Sequence, residues 1–280
     1  MELQKYVDQF RKQGLGVAAI TYDTVAMVAD FARRKNITFP ILADPHSKTI
    51  RDFGVLNTAV PAGHLWYGVP YPGTFVVDAN GVVQSKYFED RYQDRYAAPT
   101  ILLREFGSVA GTRQTTIKTN HLEMKYYSTT DTVRPDLRFT LVADIMLPPK
   151  MHVYTPAVKG YIPIQLQLQD SPNYAAQPVE YPKGELLLLP AINEIVPVYQ
   201  NSFRITADVL MASSGVLQPL LNGDPTLQIR GQLKYQACDD KICYLPETVP
   251  LAWTLKVEPL DRERVPEPIQ HKPAARPAGH

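Results

Sequence analysis

Both cysteines of the chain fall within six positions of each other, at Cys238 and Cys243. The four residues between them, Asp239-Asp240-Lys241-Ile242, fit a tight turn between strand-like flanks, so the two thiols can reach each other. A disulfide that closes so small a ring stabilises a fold by roughly 2 kcal/mol, which makes stability a weak reason for the pair. Two close and exposed thiols can instead exchange a disulfide with a partner through a mixed disulfide. The spacing therefore marks a candidate redox couple that needs no cofactor.

Three other interpretations of the pair stay open from the residues alone. A zinc site needs four ligands, and the nearest histidines along the chain are His152 and His271. A purely structural disulfide is the main alternative, and two unpaired thiols are the third. Lys241 favours a thiolate, whereas Asp239 and Asp240 oppose one, so the direction of the net shift in thiol pKa is open.

Composition and charge exclude several function classes. The 280 residues carry 29 Lys and Arg against 28 Asp and Glu, and no basic cluster stands out, so we expect no nucleic-acid partner. No apolar run reaches the roughly 18 residues that a spanning helix requires, so we expect no membrane insertion. The first residues are charged where a secretion signal needs an apolar core, and no export signal is visible.

The first part of the chain alternates short strands with helices, as a parallel α/β sheet does. We expect this domain to span residues 1–108. Its predicted elements are a helix over 2–13, a strand over 17–22, a helix from 25, a strand over 39–42, a helical turn over 47–53, an antiparallel hairpin over 74–78 and 82–87, and a helix over 100–106.

After residue 108 the pattern changes to short strands separated by Pro, Asn and Gly, which is typical of an antiparallel sandwich. We expect a linker over 109–119, an all-β sandwich over 120–258, and a disordered tail rich in Pro and charge over 259–280. The strands predicted inside the sandwich cover residues 122–128, 138–146, 164–168, 201–209, 226–236 and 249–257.

The segment YQACDDKICYLPETVPLAWTLKV is similar to the redox-active hairpin of the DsbD amino-terminal domain family, and the resemblance extends over roughly residues 118 to 258. It rests also on PPKMHVY, YIP and VY, which occur in the family's order. The resemblance implies an immunoglobulin-like sandwich in which Cys238 and Cys243 form the redox couple, with Cys243 as the sulfur that enters a mixed disulfide. It further implies thioredoxin-like or other thiol redox proteins as partners, and it points to the periplasm.

The same resemblance nominates residues around the couple. Tyr154, Tyr161 and His152 line the thiol site by this comparison, although aromatic residues of a sandwich more often belong to its core. The resemblance also implies a cap loop before Tyr199, including Ile195, that shields the couple. The full set of predicted partner-binding residues is Tyr154, Tyr161, Ile195, Tyr199, Tyr244 and Pro72.

Residues 2 to 106 resemble the AhpC/TSA class of redoxins through ELQKYVDQF, GVAAITYD, ITFPILADPHSKTIRDFGVLN and YPGTFVVDANGVV. The resemblance implies a thioredoxin-like fold. Pro72 sits where such proteins often hold a cis-proline, and an ordinary trans turn proline is the alternative. His46 and His64 have no partner that would make them catalytic.

The resemblance also implies that this thioredoxin-like domain is incomplete. A redoxin's attacking cysteine lies at the start of the helix with which this chain opens, and the strand expected between residues 17–22 and 74–78 is missing. We expect either that Met1 is an internal start within a longer gene or that the domain is a non-catalytic redoxin.

Three functions follow from the sequence. The leading one is a thiol–disulfide redox protein that exchanges electrons with partner proteins through the Cys238/Cys243 couple. The second is a peroxiredoxin-like antioxidant whose catalytic cysteine lies upstream of Met1, and from this chain itself we expect no peroxide turnover. The third is a non-catalytic binding module with a structural disulfide.

Overall fold

The computed structural model describes residues 2–89, 91–189 and 193–271. It divides into two compact units, Met1–Ser108 together with Asp261–His280, and Val109–Leu260. The first unit mixes helices with short strands and the second is rich in strands, so the predicted order of an α/β region followed by an all-β region is confirmed. The predicted division into a domain over 1–108, a linker, a sandwich over 120–258 and a tail is kept as a proposal.

The first unit alternates helices and strands in the predicted order. Its elements are α1 (Glu2–Lys12), β1 (Ala19–Thr21), α2 (Val25–Arg34), β2 (Ile41–Ala43), α3 (Lys48–Asp52), β3 (Gly73–Val77), β4 (Val83–Phe88), β5 (Arg95–Tyr96), α4 (Ala98–Phe106) and a short 3₁₀ turn, Glu267–Ile269.

The strands of this unit form two separate ladders. β1 and β2 pair in parallel, with Ala19 opposite Ile41, and β3 and β4 form an antiparallel hairpin, with Gly73 opposite Phe88. Among the described strands, no ladder joins the first pair to the second. A side chain at Gly73 would meet the Phe88 ring, since an added Cβ would lie 2.3 Å from it, so the hairpin needs glycine there.

Helix packing supplies the core of the first unit. Phe10 of α1 packs with Ile101 and Leu102 of α4 and with Tyr87 of β4, and all four are buried. The helix α4 ends at Gly107, whose φ of 70° is the left-handed conformation that glycine adopts without strain. Two helices, α1 and α4, and one hairpin therefore enclose a small apolar centre.

Part of the segment predicted to be a disordered tail makes ion pairs within this unit. The Lys35 ammonium pairs with the carboxylates of Asp261 and Glu263. Exposed ion pairs of this kind contribute little to stability. The prediction of disorder also covers residues 272–280, which lie outside the described residues.

The second unit consists of strands with one short helix. Its elements are β6 (Gln114–Lys118), β7 (Glu123–Ser128), β8 (Thr132–Val133), β9 (Leu137–Met146), β10 (His152–Tyr154), β11 (Gln165–Leu168), β12 (Tyr174–Ala176), β13 (Glu185–Leu189), β14 (Glu194–Gln200), β15 (Ser202–Met211), α5 (Ser214–Asn222), β16 (Thr226–Tyr235), β17 (Ala237–Cys238) and β18 (Glu247–Val257).

Long antiparallel ladders dominate this unit. One sheet has the order β12-β15-β9-β7-β6, a second has β11-β16-β18-β8, and a third has β13-β14-β10-β17. Tyr126 of the first sheet contacts Trp253 of the second edge to face, with ring centroids 5.3 Å apart, so these two sheets pack across a shared core. Every second residue of β18 is buried, as one covered face requires.

Several elements of this unit lie outside the predicted strands, namely β6, β8, β10, β12, β13, β14, β17 and the helix α5. The strand β6 lies inside the segment predicted to be a linker. Its sequence does not indicate a strand, because four of its five residues are exposed and its threonines give no apolar alternation. The helix α5 follows β15 and buries Leu217, but it contains Pro219 and no acidic or basic residue that would mark its ends. β6 is held by its pairing with β7 more than by its own pattern.

Candidate functional site

The two cysteines lie at the base of a tight hairpin and are bonded to each other. Cys238 ends β17, Cys243 faces it across an isolated antiparallel bridge, and their Cα atoms are 4.0 Å apart. Backbone hydrogen bonds close the turn on both sides, from Asp239 N to Ile242 O at 2.9 Å and from Tyr244 N to Ala237 O at 2.8 Å. The predicted proximity of the two thiols is therefore a feature of the folded hairpin.

Asp239 shapes the turn that the disulfide closes. Its Oδ1 accepts hydrogen bonds from the backbone N–H groups of Lys241 and Ile242, each at 2.8 Å, and its Oδ2 accepts one from the Tyr244 hydroxyl at 2.8 Å. These three donors lower the pKa of the Asp239 carboxyl. A carboxylate at this position thus acts as a turn cap, a role that the sequence analysis did not assign to it.

The two sulfur-bearing residues differ sharply in exposure. Cys238 is 1% exposed and belongs to a buried apolar cluster with Tyr154, Val196 and Val198. Cys243 is exposed at the outer arm of the hairpin. Cys243 is therefore the more accessible residue of the pair, whereas Cys238 is covered by the side chains of this cluster.

The hydroxyl of Tyr154 lies at the disulfide itself. It is 3.7 Å from the Sγ atom of Cys243 and 3.7 Å from that of Cys238. Burial raises the pKa of the Tyr154 phenol, so the group is a hydrogen-bond donor at neutral pH. Of the predicted aromatic residues, Tyr154 is the one in direct contact with both sulfurs.

Tyr161 extends this aromatic layer outward. Its ring stacks on Tyr154, with centroids 4.4 Å apart, and its hydroxyl donates a hydrogen bond to Glu194 Oε2 at 2.6 Å. This hydrogen bond raises the pKa of Tyr161 to about 12. Glu194 is the first residue of β14, within the segment predicted to cap the couple, and residues 190–192 of that segment lie outside the described residues.

His152 lies beside the couple on the neighbouring strand. In the ladder between β10 and β17 it is directly opposite Cys238, and it is 2% exposed. Burial lowers the pKa of its imidazole, and Asp239 opposes that shift. Within the described residues, its Nε2 atom has no hydrogen-bond partner.

Two other predicted residues lie on the far face of this sheet. Along β14 the residues that share a face with the couple are Val196 and Val198, so Ile195 and Tyr199 point to the opposite side. Ile195 is 63% exposed there, and the buried Tyr199 donates a hydrogen bond to the carbonyl of Pro182 at 2.8 Å. The structure does not bring these two side chains together with the disulfide.

Tyr244 and Pro72 occupy different settings. The Tyr244 ring contacts that of His121, with centroids 4.2 Å apart, and its hydroxyl holds Asp239, so it braces the hairpin from the side. Pro72 precedes β3 in the first unit, and no cis peptide bond occurs among the described residues. The first unit contains no cysteine in its sequence up to Ser108.

The described part of the chain contains neither a metal-binding cluster nor a membrane-spanning helix. No group of three or more His, Cys, Asp or Glu side chains is arranged to hold a metal ion there. No described helix combines the length and the apolar character needed to cross a bilayer.

Comparison with known proteins divides the chain as the structure does. Residues 1–86 match the model of the AhpC/TSA family, and residues 125–252 match that of Thiol:disulfide interchange protein DsbD, N-terminal. Chloroplastic peroxiredoxin Q of Arabidopsis thaliana is 30% identical over 94 residues, which are 34% of this chain and 41% of the relative. That of Sedum lineare is 28% identical over 96 residues, which are 34% and 48%. The chain spans less than half the length of these curated relatives.

A solved structure overlaps about half of the chain. The crystal structure of the N-terminal periplasmic domain of ScsB from Proteus mirabilis superposes with a TM-score of 0.35 and 13% identity, covering 53% of this chain and 52% of that one. The two family matches confirm the resemblance found in the sequence: this chain joins a region similar to the AhpC/TSA family to a region similar to the DsbD amino-terminal domain.

Proposed function

We propose that this protein exchanges electrons with partner proteins through the Cys238–Cys243 disulfide, and that Cys243 is the sulfur that partners attack. The single observation that carries the proposal is the unequal exposure of a bonded pair, with Cys243 exposed and Cys238 buried. A disulfide that served only to staple the sandwich would gain nothing from presenting one sulfur to solvent.

The reaction balances without a cofactor. A partner thiolate attacks Cys243 Sγ, the bond between the two sulfurs of this chain breaks, and Cys238 leaves as a thiolate that takes up one proton. The partner's second thiol then loses its proton and attacks the mixed disulfide, and Cys243 leaves as a thiolate that takes up the second proton. Two electrons and two protons pass to this chain, and the partner is oxidised to a disulfide. The same steps in reverse oxidise this chain.

Tyr154 supports the departure of the buried sulfur. A thiolate in an apolar cluster is costly unless a donor meets its charge, and the Tyr154 hydroxyl is already placed at 3.7 Å from Cys238 Sγ. The same hydroxyl reaches Cys243 Sγ, so either sulfur has a donor as it becomes the leaving group.

The partner class that we propose is a thioredoxin-like protein or another thiol redox protein. The match to the DsbD amino-terminal model supports this class, because thiol–disulfide exchange needs a second thiol pair to accept or supply the electrons. We assign no peroxidase chemistry to residues 1–108, since their sequence contains no cysteine.

A pair of serine variants tests the proposal. Cys238→Ser leaves the exposed sulfur free, so its thiolate should attack a single-cysteine thioredoxin-like protein whose thiol is first converted to a disulfide with thionitrobenzoate. Thionitrobenzoate leaves, and a stable mixed disulfide between the two proteins remains. Cys243→Ser leaves only the buried sulfur and should form at least about tenfold less of that adduct. Non-reducing electrophoresis and mass spectrometry measure both. Equal trapping by the two variants, or a wild-type reduction potential below about −300 mV, would identify a structural disulfide instead.

A further inference from the structure

His152 is a buried titratable side chain that the proposed exchange steps leave unused. It is 2% exposed, and within the described residues its Nε2 has no hydrogen-bond partner. A buried polar nitrogen without a partner is unfavourable and calls for an explanation. Its position next to the disulfide offers one.

The strand register places the imidazole in the same layer as the buried sulfur. His152 and Cys238 are direct partners in the antiparallel ladder, so their side chains share one face with Cβ atoms about 4.5 to 5.5 Å apart. The His152 ring also meets the edge of Tyr154 at 5.5 Å between centroids, and the Tyr154 hydroxyl contacts both sulfurs.

Few charges act on this imidazole. Tyr154 faces the ring from the same strand. From β17 and the turn after it, the neighbours are the disulfide-bonded Cys238 and the carboxylate of Asp239. From β14, the residue opposite is the uncharged Gln200. Burial outweighs the opposing effect of Asp239, so the ring is neutral at pH 7. A neutral imidazole has one nitrogen that accepts a hydrogen bond and one that donates.

The oxidised couple cannot supply a donor to that acceptor. A disulfide sulfur carries no hydrogen, whereas reduction gives Cys238 an S–H group and frees its side chain to rotate. We propose that His152 is a positioning residue of the couple, which accepts a hydrogen bond from the Cys238 thiol in the reduced protein and lacks this partner in the oxidised protein. The inference rests on the proposed function, in which the couple alternates between these two states.

A contact present only in the reduced state favours reduction. Dithiothreitol transfers two electrons and two protons to the disulfide, giving two thiols and cyclic oxidised dithiothreitol. His152→Phe removes the acceptor and should lower the equilibrium constant for this reaction about three- to tenfold, as expected for one hydrogen bond. A tenfold change corresponds to 29.6 mV in the reduction potential. His152→Gln retains an amide oxygen as acceptor. It should recover at least half of the loss in the logarithm of the equilibrium constant.

The pH profile separates this role from simple packing. A protonated imidazole has no acceptor nitrogen, so the difference between wild type and His152→Phe should close as the pH falls through the imidazole pKa of the reduced protein. Acid quenching, alkylation and mass spectrometry measure the fraction reduced at each pH. A merely structural loss would persist at every pH.

A second buried ring nitrogen provides the matched control. Trp253 Nε1 also has no partner among the described residues, but it lies in the sheet of β16 and β18. Trp253→Phe should leave the equilibrium constant unchanged. The inference is overturned if His152→Phe matches wild type at pH 7, if the difference does not change with pH, or if Trp253→Phe shifts the constant equally. The equilibrium uses no protein partner, so the inference can fail while thiol exchange with partners stands, and exchange can fail while the shift remains.

Discussion

The two units of the molecule contrast in how they are held together. The first has two separate ladders of three and five paired positions, and its core depends on α1 and α4. The second has ladders of nine and ten pairs, between β9 and β15 and between β16 and β18. The cysteines lie on the second, where long ladders fix a short hairpin. The proposed redox chemistry needs two sulfurs in a constant geometry, and the pair lies in the more extensively paired part of the chain.

Core substitutions test this contrast and should give the largest effect. Phe139→Ala empties a fully buried site in β9 and should lower the free energy of unfolding of the second unit by about 3 to 5 kcal/mol. Hydrogen exchange followed by mass spectrometry should show the loss in peptides from residues 109–260. The matched variant Phe10→Ala should loosen peptides from residues 1–108. If either variant loosens both sets equally, the two units do not differ in the way described.

Reduction of the disulfide should have an intermediate effect confined to the second unit. Opening a ring of this size lowers the free energy of unfolding by roughly 2 kcal/mol. The chain has two tryptophans, Trp66 in the first unit and the buried Trp253 in the second, so a Trp66→Phe background gives a fluorescence signal from the second alone. Urea unfolding with and without a reductant measures the difference. An unchanged transition midpoint would mean that the hairpin contributes nothing to the sandwich.

The smallest effect should come from the turn cap. The pKa of Asp239 is lowered in the folded protein, so its stabilising contribution is present above the unfolded value of about 3.9 and is lost as the pH falls through the lower folded value. Asp239→Asn should therefore lower the unfolding temperature at pH 7, and the difference from wild type should disappear in acid. The neighbouring, exposed Asp240→Asn is the control and should match wild type throughout. A difference that persists at low pH would contradict the linkage.

Much of the fold follows from the sequence pattern because its strands have clear alternation. The hairpin of β3 and β4 and the long strands β9, β15, β16 and β18 lie within a few residues of their predicted bounds. Strand β6 was not predicted, since an exposed threonine-rich strand depends on its partner β7 for its pairing. Local pattern cannot show such pairing.

The sequence predicted the two sulfur atoms of the candidate site but only part of the residues that surround them. Apolar residues fill most of β14, so the sequence does not reveal which of its two faces lies toward the couple. The strand register places Ile195 and Tyr199 on the face that points away from it. The sequence-based prediction considered Asp239 only for its charge. An aspartate at the start of a turn is a recognisable cap signal, because its side chain can accept hydrogen bonds from backbone N–H groups two residues further along. The isolation of His152 Nε2 depends on burial in three dimensions, and no sequence pattern shows it.

The unequal exposure of the two sulfurs also has a practical use. After mild reduction, a short pulse of a maleimide dye should attach at Cys243 well before Cys238 is reached, because the latter is 1% exposed. One dye per chain would then mark the exposed arm of the hairpin, where we propose that partners attack. Such a singly marked protein would report docking by a change in colour or anisotropy, independently of whether any electrons are transferred.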